Sequence, residues 1–233
     1  MKKVIMIIIT ICLLGCVVGG IFYYNQNKET EEETCNKTLP SNQHQDSEEF
    51  WFDDKPVIYL YPTEKTEVSV KLDLNGTLTC TYPKYNNGWK VTADTDGTLT
   101  DTNGMEYNYL YWEGESNVNY DFSKGFCVKG TDSIKFLEEK LTELGLNRKE
   151  ANEFITYWVP QLEKYEYNII SFQTDRYTHH AKLDVEPQPD TKIRVFMAFK
   201  PSTKYVEIQP QIIETPERTG FTLVEWGGSK VKK

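Results

Sequence analysis

Short apolar runs alternate with polar turns between residues 57 and 112, which is the pattern of antiparallel strands. In residues 67–73 aliphatic side chains occupy every second position, as in a strand with one buried face. A three-residue loop after this run predicts a hairpin that pairs Leu72 with Leu78 and directs Cys80 into the core. The first half of the domain is therefore predicted to be a β-meander with a sandwich-like arrangement.

Residues 131–162 carry the clearest helical pattern of the chain. Apolar side chains recur there at intervals of three and four in two stretches, separated by Gly145, a residue typical of a helix C-cap. Asn147 and Glu150 have the spacing of a capping box at the start of the second helix. Pro160 is expected to end or kink that helix near residue 159. The short link between the two stretches predicts a tight helix pair.

Apolar patterns of strand length return after the helices and predict strands over residues 168–172, 181–185, 193–199 and 205–209. The chain thus runs through strands, two helices and strands again. This order predicts an α+β fold with a mainly antiparallel β-sheet, in which the helix pair is inserted before the C-terminal strands.

The N-terminal segment is the most apolar part of the chain. Lys2 and Lys3 precede residues 4–24, which carry no charged side chain and are long enough to cross a bilayer as a helix. Because Lys- and Arg-rich flanks tend to stay in the cytoplasm, residues 1–24 are predicted to be a single-pass anchor with a cytoplasmic N-terminus. The bulk of the chain is then expected on the outer side of the cell membrane.

Two alternatives to a permanent anchor remain open. Residues 13–16 resemble the lipobox of bacterial lipoproteins, in which Cys16 would be acylated and become the new N-terminus. A cleaved secretory signal is the other alternative, although no small-residue cleavage site follows the apolar run. Val17 and the residues after it stay apolar, which favours the uncleaved anchor.

Composition divides the rest of the chain into three parts. Residues 25–55 are polar and acidic and predict a tether, residues 56–226 hold the folded domain, and residues 227–233 form a short basic tail. The formal net charge of the chain is −9. This charge argues against a nucleic-acid partner, because such binding depends on Lys and Arg side chains that neutralise phosphates.

Cys80 and Cys127 are the two cysteines of the predicted domain. Disulfides are permitted outside the cytosol, so these two residues are the candidate pair. Two buried free thiols are the alternative, since free cysteine is among the most buried residue types.

Several polar residues are candidates for catalysis. Glu113 follows an aromatic run, and apolar walls raise the pKa of a carboxyl group toward values that suit a general acid. Glu153, on the second helix, is a second carboxylate that could face it. Asp175 precedes His179 and His180, so an aspartate could orient a histidine base, although neighbouring histidines on a strand face opposite sides. The chain has no G-x-S-x-G, H-E-x-x-H or paired C-x-x-C motif, so no metal and no cofactor are predicted.

Aromatic residues make up 13% of the chain and cluster at Tyr107, Tyr109, Tyr111 and Trp112. Such a row can stack on sugar rings or contact a protein partner. The alternative is ordinary filling of strands, which aromatic residues favour. These four residues form the candidate ligand-binding platform.

Four segments, KPVIYLYP, YLYWE, EANEFITYW and PDTKIRVFM, occur at residues 55–62, 109–113, 150–158 and 189–197. A chain with these segments in this order resembles a family of uncharacterised proteins of bacteria and some fungi. The resemblance covers residues 56–200 and implies one contiguous domain. It implies no activity and no site residues.

Together these features predict a membrane-anchored extracytoplasmic domain that binds a cell-wall glycan, a peptide or another surface protein. One alternative is a secreted-side hydrolase that uses Glu113 with His179 or His180. Another alternative is a structural subunit of a surface assembly. Whether the chain is an enzyme stays open from the sequence, with a non-catalytic role favoured.

Overall fold

The computed structural model describes residues 51–231, which form twelve strands and three α-helices. The strands before the helices are β1 (Trp51–Tyr61), β2 (Thr66–Leu74), β3 (Gly76–Tyr82), β4 (Trp89–Ala93), β5 (Leu99–Asp101), β6 (Glu106–Tyr107), β7 (Leu110–Ser116) and β8 (Phe126–Lys129). A 3₁₀ turn (Gly130–Asp132) leads into the helices α1 (Ser133–Glu143) and α2 (Arg148–Leu162). The remaining elements are β9 (Tyr167–Phe172), α3 (Thr174–His180), β10 (Ala181–Glu186), β11 (Thr191–Ser202) and β12 (Thr222–Lys230).

The strands of the described region form two sheets. Sheet A has seven strands in the order β3-β7-β1-β12-β11-β9-β8, and sheet B has five in the order β10-β2-β4-β5-β6. β11 and β12 are parallel, whereas the other strand pairs are antiparallel. The predicted α+β class with a mainly antiparallel sheet is thereby confirmed.

Sheet A lies at the centre of the domain and is covered on both faces. The helices α1 and α2 pack on one face, where Tyr59, Trp158 and Trp226 belong to the same core cluster. Sheet B and α3 pack on the other face, where Leu60 and Tyr177 belong to a second cluster. Burial on both faces explains why β1 and β11 are continuous apolar runs rather than alternating ones.

The helix pair follows the sequence closely. Asn147 accepts a hydrogen bond from the Glu150 N–H at 3.0 Å, and the Glu150 carboxylate accepts one from the Asn147 N–H at 2.7 Å, so the predicted capping box is confirmed. Gly145 between the helices has a φ of +86°, as a C-cap glycine should. Pro160 does not end α2, which continues to Leu162; in the last turn a proline removes only one helical hydrogen bond.

The predicted hairpin between β2 and β3 is wrong. β2 pairs with β4 and β10 in sheet B, whereas β3 pairs with β7 in sheet A, so Leu72 and Leu78 lie in different sheets. The chain crosses from one sheet to the other at Asn75, whose N–H donates to the carbonyl of His180 at 2.8 Å. Gly76 is needed at the crossing because a Cβ there would overlap the carbonyl oxygen of Glu115, at 2.2 Å.

The predicted disulfide between Cys80 and Cys127 is also wrong. Cys127 is a free thiol, and Cys80 is disulfide-bonded. Cys80 lies on β3 and Cys127 on β8, which are the two opposite edges of sheet A. Six interstrand spacings separate them, roughly 29 Å, whereas a disulfide requires Cα atoms within about 7 Å.

Four further features differ from the prediction. β1 begins at Trp51, inside the segment predicted as tether, and residues 227–230 belong to β12 in the centre of sheet A rather than to a basic tail. Residues 205–209 form no strand; Gln209 makes a single bridge with Lys124. His179 and His180 lie in α3 and not on a strand.

Within residues 51–231, none of the helices combines the length and the apolar character needed to cross a bilayer. The predicted anchor at residues 1–24, the tether up to residue 50 and the candidate lipidation site Cys16 lie outside the described residues.

Candidate functional site

Strand β1, in the interior of sheet A, contains a bulge. Opposite β7, Asp53 pairs with Gly114 and the next regular pair joins Val57 to Tyr111, so β1 carries one extra residue. The same shift occurs on its other side, against β12. Pro56 lies in this segment, and a central strand tolerates proline only at such an irregularity. Bulges re-aim side chains and are frequent beside functional sites.

Lys55 is the residue that the bulge re-aims. Its φ is +61°, in the left-handed region that long side chains rarely adopt. On the neighbouring strand, a Cβ on Gly227 would lie 3.0–3.2 Å from Pro56, so a glycine there permits the close approach of the bulged backbone. Strained backbone of this kind persists where the surroundings hold it in place, and it concentrates at functional sites.

The Lys55 ammonium lies among three tyrosine rings on the helix side of sheet A. Nζ is 5.0 Å from the ring centroids of Tyr109 and Tyr111 and 6.0 Å from that of Tyr157. It also donates to the hydroxyl of Tyr109 at 3.3 Å. Cation–π attraction of this geometry contributes about 0.5–2 kcal/mol per favourable contact. Two rings come from the chain at the start of β7 and the third from α2, so the cluster joins sheet to helix.

Carboxylates flank the rings. The Tyr59 hydroxyl donates to Glu153 at 2.7 Å, and Glu113 lies near the Tyr111 hydroxyl. Burial, and after it the neighbouring Glu113 carboxylate, raises the pKa of Tyr111 well above its usual value. Burial and then the nearby charges of Asp54 and Glu113 raise the pKa of Tyr157. The phenols therefore stay protonated and act as donors, while the carboxylates accept.

We call this group the bulge site. Its members lie on the helix side of sheet A: Lys55, Tyr59, Tyr109, Tyr111, Glu113, Glu153 and Tyr157. Tyr59 is fully buried, and the other six residues are half-buried. The site offers ring faces for stacking, an ammonium donor and carboxylate acceptors. Within the described residues no group of three or more His, Cys, Asp or Glu side chains could hold a metal ion.

The predicted aromatic platform is divided by the fold. Tyr109 and Tyr111 join the bulge site, as does Glu113. Trp112 faces the other way, is 0% exposed, and donates from Nε1 to Glu225 at 3.1 Å. Tyr107 lies on β6 in sheet B and donates to Asp101 at 3.1 Å. The four residues therefore do not form one surface, because neighbouring positions on a strand face opposite sides.

The predicted pairing of Glu113 with a histidine is wrong. His180 is buried on the sheet-B face, where its Nε2 donates to the Asp53 carboxylate at 2.7 Å. Glu113 lies on the helix face, so sheet A separates the two side chains. His179 is exposed on α3, and its Nδ1 lies 2.6 Å from the main-chain carbonyl of Asp175 rather than from the carboxylate. None of these histidines can act on a ligand held by Glu113.

Sequence reasoning missed a buried ion pair beneath the same sheet. Nε of Arg194 donates to Glu225 at 2.6 Å, and its Nη2 donates to the carbonyl of Ala181 at 2.6 Å. The guanidinium also lies 4.8 Å from the ring centroid of Tyr177. The sequence did contain one indication of this ion pair, because Arg194 and Glu225 each lie within an apolar run. Because both faces of such strands are buried, the two charges had to meet in the interior.

No family model matches the chain, and no solved structure matches it. A protein of Butyrivibrio fibrisolvens, titled "Uncharacterized protein in bglA 3'region", is 53% identical over 64 residues. The matched region covers 26% of this chain and 66% of that protein, so the chain spans just under two thirds of this relative's length.

Proposed function

We propose that this protein is a single-pass, membrane-anchored domain outside the cytoplasm that binds a glycan at the bulge site. One observation carries the binding proposal: three half-buried tyrosine rings from two elements converge on Lys55, and the Glu113 and Glu153 carboxylates lie beside tyrosine hydroxyls of the same cluster. The anchor proposal is supported by the length, composition and Lys flank of residues 1–24.

A sugar ring matches the chemistry of this site. Its C–H face packs on an aromatic ring, and its hydroxyl groups at the rim need both donors and acceptors. Tyr157 and Tyr109 supply ring faces, Lys55 supplies N–H donors, and Glu113 and Glu153 supply acceptors. A small number of polar groups around aromatic walls is the usual composition of a site that binds a neutral, oriented ligand.

The charges favour a neutral sugar or an amino sugar over an acidic one. Glu113 and Glu153 bring two negative charges to the cluster, against the positive charge of Lys55. A uronate or a phosphorylated sugar would bring a further negative charge toward these carboxylates. Acidic polymers are therefore expected to bind most weakly.

The test is calorimetric titration of the purified full chain with soluble N-acetylglucosamine oligomers, cello-oligosaccharides and polygalacturonate. We expect binding of one of the two neutral series, with a Kd on the order of 0.1 mM, and none of polygalacturonate. Tyr157→Ala and Tyr109→Ala should each weaken binding about tenfold, the loss expected for one stacked ring. Tyr205→Ala is the matched control, because Tyr205 is 63% exposed and its ring contacts that of Tyr167 on β9, away from the bulge site.

Two results would remove the glycan proposal. One is unchanged affinity in Tyr157→Ala together with Tyr109→Ala. The other is tighter binding of polygalacturonate than of either neutral series, since that would contradict the charge argument. The anchor proposal is tested separately: protease added to intact cells should remove the domain, and alkaline extraction should leave it in the membrane fraction.

A further inference from the structure

Half of one edge of β11 is open. β9 pairs with β11 only between Met197 and Ser202, while β12 covers the other edge from Thr191 to Phe199. Within the described part of the chain no strand pairs with the open edge of residues 191–196. An unpaired strand edge presents a row of N–H and C=O groups that another extended chain can satisfy.

The direction of the main-chain groups follows from two hydrogen bonds. The Thr191 N–H donates to the carbonyl of Phe221 on the β12 side. The Phe196 carbonyl accepts from the Gln173 N–H at 2.8 Å on the β9 side. Because main-chain groups alternate sides along a strand, even-numbered residues of this segment face the open edge.

At Lys192 and Arg194, three main-chain groups remain for a partner. The Arg194 carbonyl accepts from the Thr174 hydroxyl at 3.0 Å, so it is already used. The N–H and C=O of Lys192 and the N–H of Arg194 face the open edge in the same alternation. A residue placed opposite Lys192 can exchange both hydrogen bonds of an antiparallel pair with it.

A cleft of about 730 Å³ lies directly against this edge. Its floor includes Ile193 and Val195, one wall is the start of α3 (residues 174–176), and the other wall is the loop of residues 211–216. The volume falls within the range of roughly 300–1,000 Å³ that is typical of ligand sites. The open edge is therefore accessible from a defined groove rather than buried under the loop.

The loop closes the other edge of β9, on the side of β8, with a side chain. The amide of Gln211 accepts from the Phe172 N–H at 2.8 Å and donates to the Phe172 carbonyl at 2.9 Å. This pair of bonds is the one that a residue of an added strand would make. The chain thus caps the last residue of β9 by itself, on the edge that faces away from β11.

We propose that the cleft binds an extended peptide segment of a partner protein, which adds a short strand to β11 at Lys192 and Arg194. The charges of the groove do not select an ionic ligand, because three acidic and three basic side chains line it: Asp121, Asp175, Glu214, Lys124, Arg176 and Lys192. Arg194 also lines it, but its guanidinium is paired with Glu225. Main-chain hydrogen bonds supply the affinity in this mode, and alternate side chains contact the apolar floor. This inference does not depend on glycan binding at the bulge site.

The test measures amide hydrogen exchange of the full chain by NMR, with and without peptide. The probe is a set of peptides acetyl-Lys-Thr-X-Thr-X-Thr-Lys-amide, in which X is Val, Leu, Phe or Tyr. Exchange at Lys192 and Arg194 should slow about tenfold at peptide concentrations of about 1 mM, whereas Ile193 and Val195, which already pair with β12, should not change. Absence of selective protection at Lys192 and Arg194 by every peptide of the set would overturn the proposal.

Two controls separate main-chain pairing from other contacts. Peptides N-methylated at the even or at the odd positions should behave differently, because only one of the two patterns blocks the amides that face β11. Lys192→Pro removes the donor that faces the groove and spares the hydrogen bonds to β12; it should weaken binding about tenfold, while Lys192→Ala should bind as the native chain does. Equal binding of both methylated forms, or of Lys192→Pro and the native chain, would contradict the proposal even if the peptide binds elsewhere.

Discussion

Nε2 of His180 donates to the carboxylate of Asp53 at 2.7 Å, and the Tyr120 hydroxyl donates to the same carboxylate at 3.0 Å. Asp53 is 0% exposed, and the other two side chains are almost completely buried. The bulge explains how a carboxylate reaches this position: without the extra residue in β1, Asp53 would face the helices instead of sheet B. One irregularity thus directs Asp53 to the interior and Lys55 to the opposite surface.

We expect Asp53→Ala to lower the free energy of unfolding by about 3 kcal/mol, because it leaves the partners of a buried carboxylate without an acceptor. Urea denaturation followed by tryptophan fluorescence measures this loss. Asp73→Ala is the matched control, since Asp73 pairs with Lys182 at 3.9 Å on the surface, and such pairs contribute less than about 1 kcal/mol. Similar losses in both variants would show that the buried network contributes no more than a surface pair.

A second prediction concerns the pair Arg194–Glu225. Arg194→Leu and Glu225→Leu should each cost about 3–5 kcal/mol, because each leaves one uncompensated charge in the interior. The double variant should cost less than the sum of the two, since both charges are then absent. The measurement is a double-mutant cycle by urea denaturation, and additive losses would contradict the coupling.

The backbone at Lys55 gives a third prediction. Lys55→Gly should change the free energy of unfolding by less than about 1 kcal/mol, because glycine adopts a positive φ without strain and this gain offsets the lost ring contacts. Lys55→Val should cost about 2 kcal/mol, because a β-branched residue is strained at this φ. If denaturation shows the two variants to be equally stable, the left-handed conformation is not maintained in solution.

The fourth prediction concerns high pH. Burial, followed by a neighbouring carboxylate, raises the pKa of Tyr59, Tyr111 and Tyr120 above the ordinary value. The folded chain therefore holds these protons more tightly than the unfolded chain, so this stabilisation is complete below about pH 10 and decreases as the pH rises beyond it. The free energy of unfolding should fall steadily above about pH 10.

Ultraviolet difference absorbance checks the same point directly. At about pH 11 the folded protein should show fewer ionised tyrosines than the protein in concentrated urea. Tyr111→Phe should leave the folded signal unchanged and reduce the signal in urea by one tyrosine. A reduction of the folded signal instead would mean that Tyr111 ionises normally.

Local chemistry made part of the fold predictable from sequence. The capping box of Asn147 and Glu150 and the C-cap at Gly145 depend only on neighbouring residues, and the structure contains both. The link after β2 was not predictable in this way, because Gly76 satisfies a hairpin loop and a crossing between sheets equally well. Only the close carbonyl of Glu115, a long-range contact, distinguishes them.

The central strand β12 shows the same limit. Gly227 and Gly228 belong to the segment predicted as a basic tail, yet both are buried in β12, in the centre of sheet A. A glycine is required at position 227 because Pro56 lies close to it. A glycine is required at position 228 because a Cβ there would lie 2.6 Å from the ring of Trp158. Of the candidate site, sequence reasoning found Tyr109, Tyr111, Glu113 and Glu153, but Lys55 was missed because its role depends on the bulge.

The position of β12 also determines when the domain can assemble. Among the strands of residues 51–231, β12 comes last in the sequence, yet it lies between β3-β7-β1 and β11-β9-β8 in sheet A. Without β12, sheet A consists of two three-stranded pieces with no shared strand. We therefore expect sheet A to form late in folding, because its two halves become continuous only when β12 enters between them.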